Sequence, residues 1–104
     1  MTFSVFLTAD AAHDLDYIKK HDAPEKADHV IGRIEACFSS LSESPERGAY
    51  PKELLALGIR EYREVFFKPY RIIYRVTDKN VYVLLIADGR RDMQTLLQQR
   101  LLGA

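Results

Sequence analysis

The sequence predicts an α+β fold: an opening strand, an antiparallel helix hairpin, a three-stranded antiparallel meander completing a small four-stranded sheet, and a C-terminal helix. Three observations predict it. Ala27, Val30, Ile31, Ile34, Cys37, Phe38 and Leu41 recur at steps of three and four, the period of a helix with one buried stripe. Three β-rich runs within residues 59–87 are separated only by Lys68-Pro69 and Asp78-Lys79-Asn80, connections that suit antiparallel reversals. Beyond the last run, Gly89-Arg90-Arg91-Asp92 leads into Met93, Leu96, Leu97 and Leu101 at helical spacing.

Each element has a local cause. Residues 3–7 are rich in β formers and read as the opening strand. Thr8 suits the N-cap of a helix running to about residue 20, with Asp10 favourable in its first turn and Ala11, Leu15 and Ile18 inward. His21-Asp22-Ala23 makes a tight connection, and Pro24 fits the first position of the second helix, where its missing N–H costs nothing. The short link pairs the two helices as a hairpin. Residues 42–58 are punctuated by Pro45, Gly48, Pro51 and Gly58, with one turn expected at Glu53-Leu54-Leu55.

The meander strands are expected at residues 59–68, 70–76 and 81–87, and the last helix at 93–102 with Gly103 as its stop. Strand alternation puts Tyr70, Ile72, Tyr74 and Val76 on one face, under the hairpin. It puts Arg71, Ile73 and Arg75 on the other, open to solvent or a partner and partly covered by the last helix.

The chain has 104 residues, which suggests one domain spanning 1–104 with a real core. Its 47% apolar and 29% charged residues exclude a disordered or membrane composition. The longest apolar run, residues 81–87, is far short of a membrane span. Residues 1–7 lack the basic start and cleavage site of a signal peptide, so a cytoplasmic protein is expected. Cys37 is the sole cysteine, which rules out an internal disulfide and a cysteine-based zinc site.

Net charge is zero, yet residues 1–52 carry −3 and residues 53–104 carry +3. Arginine dominates the second half, and guanidiniums suit bidentate recognition of carboxylates and phosphates.

Few constellations carry chemistry. His13, His21 and His29 are eight residues apart, about 12 Å along a helix and too far to share a metal. No phosphate loop, dinucleotide glycine pattern or zinc motif is present, and no cofactor is implied. Cys37 belongs to the buried stripe. The junction at residues 89–92 differs, because it turns a strand into a helix on a rigid frame. Either Arg90 and Arg91 converge there with Arg71 and Arg75 to bind phosphates, RNA or an acidic peptide, or Arg91 pairs with Asp88 or Asp92 and only fixes the turn.

The element order resembles the RelE/ParE superfamily of bacterial type II toxin–antitoxin systems over essentially the whole chain. The resemblance is carried by Tyr70-Arg71-Ile72-Ile73-Tyr74-Arg75-Val76, the apolar strand at 81–87 and the Arg91-Asp92 pair. Members resembling RelE cut ribosome-bound mRNA and need cations plus a proton donor and acceptor. On that reading Arg71 and Arg91 match the arginine positions, and Tyr70, Tyr74 or Glu64 would have to substitute for the proton-transfer pair. The first meander strand offers Arg60, Glu61, Arg63 and Glu64 instead of a lysine cluster, and no Tyr or His follows Arg91.

Members resembling ParE poison DNA gyrase. Arg90-Arg91-Asp92-Met93, with Arg100-Leu101 near the end, is similar to their C-terminal pattern. The resemblance therefore implies a ParE-like gyrase inhibitor neutralised by a cognate antitoxin, in a heterotetramer on one assembly. Arg63, Arg71, Arg75, Arg90, Arg91 and Arg100 are its candidate contacts to target or antitoxin. The alternatives are a RelE-like endoribonuclease acting on ribosome and mRNA, a non-toxic remnant, and an RNA-binding module.

Overall fold

The computed structural model describes residues 2–22 and 25–103. In chain order it contains β1 (Ser4–Leu7), α1 (Ala9–Tyr17), α2 (Ala27–Ser39), α3 (Lys52–Leu55), β2 (Arg63–Phe67), β3 (Tyr70–Thr77), β4 (Asn80–Asp88) and α4 (Met93–Leu102). The strands form one sheet in the order β1-β4-β3-β2. β2, β3 and β4 are an antiparallel meander, and β1 lies parallel to β4.

Local chemistry sets the element ends. The Thr8 hydroxyl accepts the Ala11 amide and caps α1. α1 gives way after Tyr17, short of the expected end near residue 20, to a π-helical turn at Ile18–Asp22. α2 begins at Ala27, and Pro24, expected at its start, lies outside the described residues. Asp92 caps α4 by accepting the Thr95 amide, and Gly103 at φ 69° closes it in the left-handed region. Lys68-Pro69, the turn between β2 and β3, is a cis peptide.

The sheet is covered on both faces. On one, Ala11, Ile18, Ile34 and Phe38 of the helical layer pack against Val65, Tyr70, Ile72, Tyr74, Val81, Val83 and Ile86. On the other, Leu54, Tyr62, Met93 and Leu97 pack against Ile73, Leu85 and Ala87. The expectation of a largely open second face is therefore corrected. α3 and α4 build a second core there, because the apolar residues of β4 point both ways.

A β-bulge makes that possible. Ile73 pairs with Leu85 and Tyr74 with Val83, so Leu84 is an extra residue in β4. The alternation shifts by one, sending Val81, Val83 and Ile86 to one core and Leu85 and Ala87 to the other. β2 is shorter than the run at 59–68, because Ile59 and Tyr62 leave the ladder to pack in the second core.

The loop before α3 is pinned to the sheet. The buried Tyr74 hydroxyl donates to the Pro45 carbonyl at 2.7 Å and accepts the Gly48 amide at 3.1 Å. A Cβ at Gly48 would lie 2.6 Å from both the Glu64 carbonyl and the Tyr74 hydroxyl. Gly48→Ala is therefore expected to lose about 1–3 kcal/mol by overpacking. Gly32→Ala, in a helical position with nothing within 4 Å, is expected to gain up to about 1 kcal/mol. Urea denaturation of the two variants checks the opposite signs.

Candidate functional site

Arg71 sits in β3 on the second face, beside α3. Its Nε donates to Glu64 at 2.7 Å, and its two terminal nitrogens donate to both oxygens of Glu53 at 2.8 and 2.7 Å. Its side chain is 9% exposed, and those of Glu53 and Glu64 are 14% and 7%. Gly89 presses on it from the junction, where a Cβ would approach Arg71 Cδ to 2.8 Å. The guanidinium is thus saturated by two carboxylates rather than offered to a phosphate.

The three charges titrate unequally. Hydrogen bonds from Arg71 hold the Glu53 carboxyl below its usual range. Burial pushes the Glu64 carboxyl up despite the same partner. Both carboxylates, Glu53 first, raise the Arg71 pKa against the cost of its burial.

The remaining predicted residues scatter. Arg63 donates to the Gly48 carbonyl and the Tyr50 hydroxyl and lies 4.6 Å over the Tyr50 ring, so it braces the loop. Arg90 pairs with Asp88, which its hydrogen bonds hold below the usual carboxylate range. Arg100 reaches across from α4 to Asp14 at 2.7 and 3.0 Å and to the Leu84 carbonyl at 2.8 Å.

Tyr70 is buried in the core on the opposite face from Arg71. Glu64 is held inside the ion cluster. Of the six candidate contact arginines, only Arg75 and Arg91 are exposed with side chains that make no hydrogen bond or ion pair among the described residues. Arg75 lies beside a shallow cavity of about 280 Å³ that Arg60, Arg63, Glu46 and Glu61 also line. Arg91 lies at the other end of β4, on a groove between α1 and α4. It is Arg90, not Arg91, that pairs with Asp88, while Asp92 caps the helix.

Two partners escaped the sequence reading. Asp14 falls between Ala11 and Ile18 on the inward stripe of α1, and a carboxylate on an apolar stripe signals a buried cation elsewhere. Glu53 sat in the one expected turn of a loop, with nothing to mark it as a ligand for Arg71.

Arg71→Ala would leave two partly buried carboxylates unpaired, and a loss of about 3–5 kcal/mol is expected. Glu53, with its pKa lowered, contributes stability at neutral pH that disappears as the pH falls through that lowered value. Glu64, with its pKa raised, favours folding below its ordinary value, and that contribution is lost as the pH rises. Glu64→Gln should therefore cost less than Glu53→Gln at pH 7, and the gap should narrow on acidification. Denaturation curves from pH 7 to pH 4 read both effects.

The family model described as the ParE toxin of type II toxin–antitoxin systems, parDE, matches residues 5–93. Toxin ParE3 of Caulobacter vibrioides is 28% identical over 100 residues, covering 92% of this chain and 96% of that protein. A solved chain of the chromosomal ParDE system from P. aeruginosa superposes with a TM-score of 0.69 at 28% identity, covering 84% of this chain and 96% of that one. A chain of the RelBE2 toxin–antitoxin complex from Mycobacterium tuberculosis reaches 0.60 at 24% identity, over 85% and 99% of the two chains, and shows the shared fold. The RelE/ParE-like architecture read from the sequence is thus borne out, and the chain belongs to the ParE toxin family of type II toxin–antitoxin systems.

Proposed function

We propose that this toxin acts in the cytoplasm on DNA gyrase and is held inactive by a cognate antitoxin. The observation that carries the choice of target is the sealed state of Arg71. An RNA-cleaving site needs exposed cations and a proton-transfer pair around one phosphate. Here Arg71 is saturated by Glu53 and Glu64, and Tyr70 lies on the other face of the sheet. Arg91 has no Tyr or His after it in the chain. A poison that works by binding needs none of these groups. Membership in the ParE family supports the same target class.

An antitoxin partner is supported by the two structural relatives, one from a ParDE system and one from a RelBE2 complex. Among the described residues no helix is long and apolar enough to cross a membrane. Arg75 and Arg91 are the arginines on the candidate surface that the protein does not use internally, so they are the proposed contacts to target or antitoxin.

Purified protein is expected to inhibit supercoiling by gyrase or to trap its cleaved complex with DNA. Unaffected supercoiling together with cleavage of ribosome-bound mRNA would replace gyrase with the ribosome. Arg75→Glu and Arg91→Glu should fold normally, and together they should weaken gyrase inhibition by about tenfold or more. Circular dichroism and the supercoiling assay separate a lost contact from a lost fold.

A further inference from the structure

β1 pairs with β4 only from Ser4↔Asn80 to Leu7↔Val83, whereas β4 continues to Asp88. Among the described residues, 84–88 therefore have β3 on one side and no strand on the other. Helices flank this bare edge. α1 rises beside it, since the Thr8 amide bonds the Val83 carbonyl and Asp14 accepts the Ile86 amide at 3.0 Å. α4 descends, since the Arg91 amide bonds the Asp88 carbonyl and Arg100 donates to the Leu84 carbonyl. The Asp14–Arg100 pair joins the two helices across the edge.

The result is a groove of about 320 Å³ that both members of that ion pair line, together with Asp88 from the end of β4. Leu96 and the half-exposed Tyr17 give it accessible apolar surface over a floor of buried Ile18 and Ile86, with His13 and Arg91 also lining it. Its volume is at the small end of the roughly 300–1,000 Å³ typical of ligand sites, suited to one ring rather than a whole helix.

Charge names the occupant further. Asp14 is neutralised by Arg100 and Asp88 by Arg90. The Arg91 side chain is exposed and makes no hydrogen bond or close ion pair among the described residues, although its charge joins that of Arg90 in lowering the Asp88 pKa. Tyr17 is 53% exposed and its ring lies tilted against His21 at 4.6 Å, which adds an aromatic surface beside the groove.

We propose that this groove is a docking pocket for an aromatic side chain of a partner protein with a carboxylate beside it. The ring enters between Tyr17 and Leu96, above Ile18, and the carboxylate takes the Arg91 guanidinium. The inference stands apart from the choice of gyrase as target, because it concerns the chemistry of an anchor and not the identity of the protein that carries it.

The test uses the isotope-labelled full chain and two probes. The first is 3-phenylpropionate, with its amide as control. The second is a short peptide with Phe between two Asp residues, with the Asn version as control. The expected result is shifts at the Ile18, Ile86 and Leu96 amides, millimolar binding of the acid and at least tenfold tighter binding of the peptide. Both controls should bind at least tenfold more weakly than their acids, and Arg91→Ala should erase that difference while Arg91→Lys partly restores it.

Arg75→Ala, far along the sheet, should leave binding unchanged and controls for general charge. Shifts elsewhere, equal binding of acid and amide, or indifference to Arg91→Ala would overturn the site. Micromolar binding of the free acid with no gain from the peptide would assign the groove to a small aromatic acid and overturn the docking role. Neither outcome bears on the supercoiling assay, so this inference and the gyrase reading fail separately.

Discussion

The extra residue in β4 is the constraint on which the rest of the structure depends. Without Leu84 inserted against β3, Val81, Val83, Leu85 and Ala87 would all face one way, and one side of the sheet would lose much of its apolar surface. With it, the strand supplies Val81, Val83 and Ile86 to the helical layer and Leu85 and Ala87 to α4. The bulge also interrupts the ladder where β1 ends. It leaves the Leu84 carbonyl and the Ile86 amide facing the open edge, where Arg100 and Asp14 satisfy them. One backbone irregularity thus explains the two-sided core, the ion pair joining α1 to α4, and the groove above them.

Closing the second face has an electrostatic consequence. Arg71 enters β3 by alternation opposite the hairpin layer, and the core built by α3 and α4 desolvates it. A guanidinium withdrawn from water costs several kcal/mol unless its donors are matched. Glu64 lies across the ladder on β2, and Glu53 arrives from α3, so every side-chain nitrogen of Arg71 has a carboxylate oxygen. The cluster ties α3 to the sheet, a helix only four residues long. Such a site holds an element in place, and the same bonds that make it rigid exclude an anionic ligand.

Much of this architecture was legible in the sequence where the signal is local. The Thr8 cap, the stripe of α2, the alternation of Tyr70, Ile72 and Tyr74, and the Gly103 stop each depend on neighbours a few residues away. The register of β4 was not legible, because an apolar run such as 81–87 fits either face until a partner strand fixes the count. The partners of the arginines were not legible for a related reason. Asp14 and Arg100 meet over 86 residues and Arg71 and Glu53 over 18, and no periodicity links such pairs. The end of α1 was overrun because Ile18 continues the apolar stripe through a change of helical winding.

The charge asymmetry of the chain gains a different meaning from these pairings. The second half carries an excess of arginine, which read alone suggests a binding surface for anions. Yet Arg63, Arg71, Arg90 and Arg100 each neutralise or brace groups of the protein itself. The acidic first half supplies Asp14 to this network, so part of the excess is internal complementarity between the halves. What remains for partners is sparse and divided between the Arg75 end of the sheet and the Arg91 end. A partner that contacts both must extend along the sheet, and an affinity built that way rests on shape and apolar anchors with a few charges as guides. Specificity in such an arrangement comes from the spacing of separated contacts and not from one concentrated cationic centre.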